Sequence, residues 1–303
     1  MAAVTYTNCI GTFEFKDRKL VKEKLFTSKE IVARAGKQAS EPEPALPPDW
    51  VLDFFNQPKY LTKMREATLL VTKRRMAASV KADHLIIQAS NNVEEIDKVA
   101  NNLAKRLREW YELYNPEFSK SIESHEKFAE LIQKKTKKEL LKEVGVAEEE
   151  SMGAEIDKKD LAPVMDLAAG ISALFSLRAK QSEYIEKSMK QTLPNVEAMC
   201  GATIGAKLLA IAGSLEKLAL FPASTIQLLG AEKALFRHIK TGAKPPKFGV
   251  IINHPLVTKA KAPEKGRAAR MLADKISIAA KIDYFKGEFR GDDLRKELEA
   301  KLK

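Results

Sequence analysis

The sequence holds two cysteines in 303 residues, Cys9 and Cys200, far apart and among small or apolar neighbours. With no CxxC pair and no Cys/His cluster it offers neither a zinc site nor a disulfide framework, so a reducing, intracellular setting is expected. The four histidines, at 84, 125, 238 and 254, form no HxxxH pair, and no serine sits in a nucleophile elbow. Gly201-Ala-Thr-Ile-Gly205-Ala-Lys207-Leu208 lacks the spacing and the Gly-Lys-Ser/Thr ending of a phosphate loop, and reads better as close helix packing. Glu148, Glu149 and Glu150 read as solvated carboxylates. No metal site, cofactor or catalytic constellation is expected, and the protein reads as non-enzymatic. No run of about eighteen apolar residues and no signal-peptide pattern is present, so a soluble, cytoplasmic protein is expected.

Proline and glycine are sparse from about Leu61 to Leu193, and this stretch should be overwhelmingly helical. Val93, Ile96, Ala100, Leu103, Leu107, Trp110 and Tyr114 recur at three-four spacing as a coiled-coil seam, and Val164, Leu167, Ile171 and Leu174 begin a second, continued by Arg178, Gln181 and Ile185. The polar stretch 134–160 between them suits the turn of an antiparallel hairpin. Before it, alternation in Thr12-Phe13-Glu14-Phe15 predicts one or two strands in a small α/β piece, and the proline-rich segment Gln38 to Asp49 predicts a linker. After Pro194, small residues and short helices predict a compact helical globule. The expected class is mostly α, with an amino-terminal α/β piece and linker over 1–50, the hairpin over 51–193 and the globule over 194–303.

Charge is distributed unevenly. The net charge is +11, yet residues 201–303 alone hold twenty Lys/Arg against ten Asp/Glu. Ten of those bases and two acids fall between Gly230 and Arg270, which suits a polyanion because neutralised phosphates release counterions. A solvated basic face is the plainer alternative. Lys233, Arg237 and Lys240 share one helix face, with Leu235 and Ile239 expected to point inward. Gly242 should end that helix, and Lys244-Pro245-Pro246-Lys247 should form a stiff basic loop. His254 follows, as a capping residue or a stacking platform for an unpaired base.

Three runs resemble the Nop-domain family, most nearly the archaeal scaffold of box C/D guide ribonucleoproteins. They are Leu103-Ala-Lys-Arg-Leu-Arg-Glu-Trp-Tyr111, Ile211-Ala-Gly-Ser-Leu-Glu-Lys-Leu218, and Leu229-Gly-Ala-Glu-Lys-Ala-Leu-Phe-Arg-His238 with the Pro-Lys-Phe-Gly and Ile-Ile-Asn-His-Pro that follow. The resemblance extends from about Arg65 to Gly287. It implies a coiled-coil hairpin followed by an all-helical Nop domain, acting as a scaffold in RNA 2′-O-methylation. It also implies a composite target, a kink-turn box C/D guide RNA with a small ribosomal-protein-like protein bound to it. Glu232, Lys233, Arg237, Lys240, Lys244, Lys247, Phe248, Gly249, His254, Arg267 and Arg270 would face that target, with His254 stacking on a base and Arg267 and Arg270 on the backbone. Self-association through the coiled coil is implied, and so is docking of fibrillarin on the amino-terminal piece, which is shorter here than the family's usual domain. S-adenosylmethionine would belong to fibrillarin alone. A spliceosomal Nop-type protein is the alternative within the family. A basic helical protein of anionic membranes is the alternative outside it, disfavoured if Leu235 and Phe236 face inward.

Overall fold

The structure, a computed structural model, describes residues 4–37 and 48–302, so most of the expected proline-rich linker lies outside the described residues. The chain divides into two units, residues 1–81 and 82–303. In the first, β1 (Val4–Thr7), β2 (Gly11–Lys16) and β3 (Lys19–Leu25) form an antiparallel sheet in that order. Asp17 and Arg18, both at positive φ, make the two-residue turn between β2 and β3. Alternation along β2 turns Phe13 and Phe15 to the inside. There they meet α2 (Asp49–Phe55) and α3 (Pro58–Ser79), while α1 (Ser28–Lys37) packs on α3. Edge-to-face ring pairs, Phe13 with Phe55 at 4.8 Å and Phe15 with Phe54 at 5.2 Å, build this small core. Residues 51–81, expected to begin the hairpin, therefore belong to the amino-terminal unit: Val51, Phe55, Tyr60 and Ala67 are buried against the sheet. Helical periodicity is blind to which core a helix serves.

The second unit opens with α4 (Ala82–Glu112), α5 (Pro116–Ser121), α6 (His125–Lys134), α7 (Lys137–Val144) and α8 (Lys158–Thr192). Helices α4 and α8 pair along their length, with Ala100, Ala104, Leu107 and Tyr111 packed against Val164, Ala168, Ile171 and Phe175. The seam is displaced from the expected one. Ala104 and Tyr111 are buried, Leu103 and Tyr114 are half-buried, and Trp110 is 43% exposed. A straight α-helix drifts about 20° per heptad against a 3.5-residue repeat, so the inward position slips forward by one residue along α4.

The stretch between the long helices is a built module, which corrects the expectation of a simple polar turn over 134–160. Asn115 caps α5, Ser124 caps α6, and Thr136 with Glu139 forms a capping box on α7, which Gly145 ends at φ 78°. Phe118, Phe128, Ile132 and Leu140 form its interior. Arg108 fastens it to α4, donating to the carbonyls of Ser119 (2.7 Å) and Ile122 (2.5 Å) and from Nε to His125 Nδ1 (2.9 Å), with its guanidinium 4.4 Å over the Phe128 ring. Residues 151–154 return across the end of α4: Ala154 N donates to the Leu113 carbonyl at 2.9 Å and Met152 N to Glu117 at 2.7 Å.

The globule comprises α9 (Pro194–Ala212), α10 (Leu215–Leu220), α11 (Ala223–Leu228), α12 (Glu232–Thr241), α13 (Pro255–Thr258), α14 (Lys265–Tyr284) and α15 (Gly291–Leu302). Helix α9 lies at its centre, kinked at Gly201 (φ 75°, ψ 160°). Gly205 is the close-packing glycine there, since an added Cβ would stand 2.7 Å from the Met189 methyl. Asp283 on α14 accepts from the backbone N–H groups of Asn195 and Val196 and from the Asn195 amide, capping the start of α9. By length and composition α8 and α9 are each apolar enough to cross a membrane, which a count of unbroken apolar runs does not reveal. Ten residues of α9 are nonetheless buried within the globule.

The displaced seam predicts unequal costs. Leu107→Ala should cost about 2–5 kcal/mol, and Trp110→Ala under about 1 kcal/mol, as read from denaturant midpoints. Equal costs would restore the seam expected from spacing.

Candidate nucleic-acid interface

Gly230, at φ 87°, and Gly242, at φ 67°, bracket α12. The Glu232 carboxylate accepts from Gly230 N at 2.7 Å, so this residue, expected on the target-facing surface, secures the start of its own helix. Lys233, Arg237 and Lys240 are all exposed. The apolar side of the helix departs from expectation. Leu235 is half-buried, but Phe236 is 62% and Ile239 69% exposed, and no residue of α12 is buried. An ideal helix facing a core would hide both. Here α12 stands off the globule and offers cationic and apolar groups together.

The loop after α12 returns to the globule under tight constraint. Gly249 N donates to the Gln227 carbonyl and Val250 N to that of Leu229, both at 2.8 Å, and the Gln227 amide donates to the Lys247 carbonyl at 2.6 Å. A Cβ at Gly249 would stand 1.9 Å from the Leu229 oxygen, so only glycine permits this approach. Phe248, expected on the surface, packs half-buried against the globule's core and anchors the loop. His238 Nδ1 contacts the Ala243 carbonyl from the other end. Lys244 and Lys247 remain exposed.

Lys247 meets Arg267 and Arg270, from the first turns of α14, around an open recess of about 540 Å³ that Ser224, Gln227, Leu228 and Pro246 also line. Three cations converge there without a carboxylate, the arrangement that suits a phosphate backbone. A second recess of about 480 Å³ shares Arg267 and is lined by His254, Lys259, Glu264 and Arg295. No local signal in the sequence marks Arg295, because its helix, α15, lies outside the basic 230–270 segment. Arg267 also donates to the Lys301 carbonyl at the end of α15 (3.2 Å).

His254 does not belong to the first recess. It caps α13, Nδ1 accepting from Leu256 N at 3.2 Å, and it also hydrogen-bonds the backbone of Met199, beside the kink in α9. Both ring nitrogens are thus engaged and the neutral tautomer is required. Burial, and secondarily the Arg295 charge, hold its pKa below the ordinary histidine value.

Residues 92–303 match the model of the Nop family, described as "snoRNA binding domain, fibrillarin". The chain belongs to the Nop family. This Nop protein is 39% identical over 264 residues to an uncharacterized NOP5 family protein of Methanocaldococcus jannaschii, covering 82% of the chain and 64% of that relative. It is 41% identical over 253 residues to nucleolar protein 56 of Dictyostelium discoideum, covering 74% of the chain and 47% of the relative. Against nucleolar protein 58 of Schizosaccharomyces pombe it is 41% identical over 217 residues, covering 67% and 43%. The chain thus spans about two thirds of the first relative and about half of the nucleolar ones. It is also similar to a chain in the crystal structure of a fibrillarin/Nop5p complex, 25% identical with a TM-score of 0.49, covering 99% of this chain and 98% of the other.

Because the His254 pKa is lowered by folding, its contribution to stability is complete above the unfolded value of about 6.5 and is lost as pH falls below it. His254→Asn keeps a capping acceptor but cannot titrate. It should therefore lose less thermal stability than the wild type between pH 7.5 and pH 5; an identical loss in both proteins would remove His254 from that account.

Proposed function

We infer that this Nop protein is a non-enzymatic scaffold of a box C/D guide ribonucleoprotein, working in the cytoplasm in RNA 2′-O-methylation. It would hold a kink-turn guide RNA together with its small ribosomal-protein-like binding protein, while the amino-terminal unit docks fibrillarin. Family membership supports the particle, and the recess of Lys247, Arg267 and Arg270 beside the exposed α12 supports the contact. The division of labour follows from the side chains. Lys247, Arg267 and Arg270 would neutralise backbone phosphates, which positions the RNA without reading its sequence. Phe236 and Ile239 are apolar and point to solvent; the Phe236 ring could meet a base or a protein, but the aliphatic Ile239 is matched better by a protein surface than by RNA. A target made of RNA and protein together satisfies both groups.

Glu232, Gly249 and Phe248 serve the surface indirectly, by fixing α12 and its loop. In this reading S-adenosylmethionine belongs to fibrillarin, and self-association through the hairpin would set the spacing of two such scaffolds. The membrane alternative regains one observation, because Phe236 and Ile239 lie outward beside lysines.

Binding to the kink-turn RNA alone should be weak, and binding should become strong once the small protein is present. Equal affinity for both would contradict a composite target. Lys233→Ala with Arg237→Ala should weaken complex formation by about tenfold or more and flatten its salt dependence. Binding to anionic vesicles at physiological salt that rivals binding to the particle would favour the membrane reading.

A further inference from the structure

The amino-terminal sheet has a second face that neither its own core nor the proposed function uses. Residues opposite one another in an antiparallel ladder share a face, so the pairings Thr5↔Glu14↔Lys22, Thr7↔Thr12↔Lys24 and Lys16↔Lys19 fix what this face carries. Phe13 and Phe15 lie on the other side, buried with Val51, Phe55 and Tyr60. The register between β2 and β3 slips at Glu14/Phe15, which leaves Val21 as an extra residue on β3. This bulge sets Lys19 on the same face as Lys22, three positions on, where an unbroken strand would send the two to opposite sides.

Lys16, Lys19, Lys22 and Lys24 thus stand together, all exposed, with the exposed hydroxyl residues Thr5 and Thr7 on the same face. The carboxylate that the pairings place among them, Glu14, is 4.0 Å from Lys22. Glu23 points to the other side, where it accepts from the Tyr60 hydroxyl at 2.8 Å. Arg18, at φ 62°, adds a cation at the turn, beside Asp17. Lysines on a sheet edge ordinarily block pairing with foreign strands. Lys16 lies on the central strand and does not serve that purpose. It faces Lys19 directly, a like-charge pair that destabilises the free sheet and favours an anionic occupant.

The side chains select among anionic occupants. Protein interfaces are depleted of lysine and centre on apolar or aromatic anchors, whereas Val21, at the bulge, is the only exposed large apolar residue of the described strands. Single-stranded RNA stacks its bases on aromatic rings. Here Tyr6 and Phe13 pack on Phe55, and Phe15 on Phe54, inside the core. Ammonium and hydroxyl groups alone suit the phosphates and 2′-hydroxyls of a double helix. We propose that the outer face of the sheet, through Lys16, Lys19, Lys22 and Lys24, holds the backbone of an RNA duplex. This contact does not rest on the kink-turn reading, whose target is bound by the globule.

Titration of the full chain with a kink-free RNA duplex of about 20 base pairs, at several salt concentrations, tests it. K19A/K22A/K24A should lower the slope of log affinity against log salt by about 2 to 3 and weaken binding about tenfold or more at low salt, while K19R/K22R/K24R should keep both. Photocrosslinks from 4-thiouridine in the duplex should map to residues 11–25. An unchanged slope in the alanine variant, with circular dichroism showing it folded, would assign duplex binding to the globule and overturn the proposal. So would crosslinks confined to residues 201–303, or an alanine variant that loses binding to phosphatidylserine vesicles while keeping its full affinity for the duplex.

Discussion

The pairing of α4 with α8 is the constraint on which the second unit depends. Small residues, Ala100 and Ala104 on one helix and Ala168 on the other, let the two approach closely over one stretch of the seam. Toward the globule the same helices contribute Ile86, Ile87 and Ala89, and Ile185 and Met189, to the core around α9. Two hydrophobic cores are thus threaded on one helix pair, and the hairpin and globule form one compact body. Ion pairs at the surface reinforce this: Lys207 on α9 with Glu94 at 3.1 Å, and Arg178 with Asp97, also at 3.1 Å. Such exposed pairs contribute little stability, at most about 1 kcal/mol each. Apolar burial carries the junction.

Rigidity at the interface comes from backbone contacts more than from side chains. The 242–249 loop is held at Gly249 by its hydrogen bond to Gln227 and at Val250 by that to Leu229, with Phe248 seated in the globule. Two prolines restrict the remaining freedom. Lys244 and Lys247 therefore hang from a frame that loses little entropy on binding. Arg267 and Arg270 sit on the first turns of α14, whose Leu272, Ala273 and Ile276 are fully buried. A loop and a helix fixed by unrelated contacts thus hold three cations around one recess. Like charges gathered in this way destabilise the free protein and make a polyanion a favourable occupant.

Charge also divides the second unit along its length. The basic excess lies in the globule, whereas at the hairpin tip acids and lysines are paired, Lys138 with Glu148 at 3.0 Å and Lys135 with Glu143, with apolar side chains exposed at each end. Neither end satisfies those side chains within its own chain. The basic end is the proposed site of the RNA–protein target, and the hairpin the proposed site of self-association.

Sequence by itself determined the elements. Helical spacing marked the long hairpin, alternation marked β2, Gly242 marked the end of α12, and the Gly230–Arg270 composition marked the cationic region, because each signal is local and needs no knowledge of neighbours. Tertiary structure decided which way the elements face. The seam moved from Trp110 to Tyr111 through helical drift, residues 51–81 joined the sheet because its phenylalanines needed cover, and 134–160 proved to hold α7, whose Leu140 joins the core of the α4–α8 pair. Phe248 turned inward while Phe236 and Ile239 turned outward, a reversal that periodicity cannot foresee because α12 has no core on either side. Gathering Lys247 with Arg267 and Arg270, and placing Arg295 beside His254, required the fold, since residues distant in sequence converge only when the helices that carry them pack.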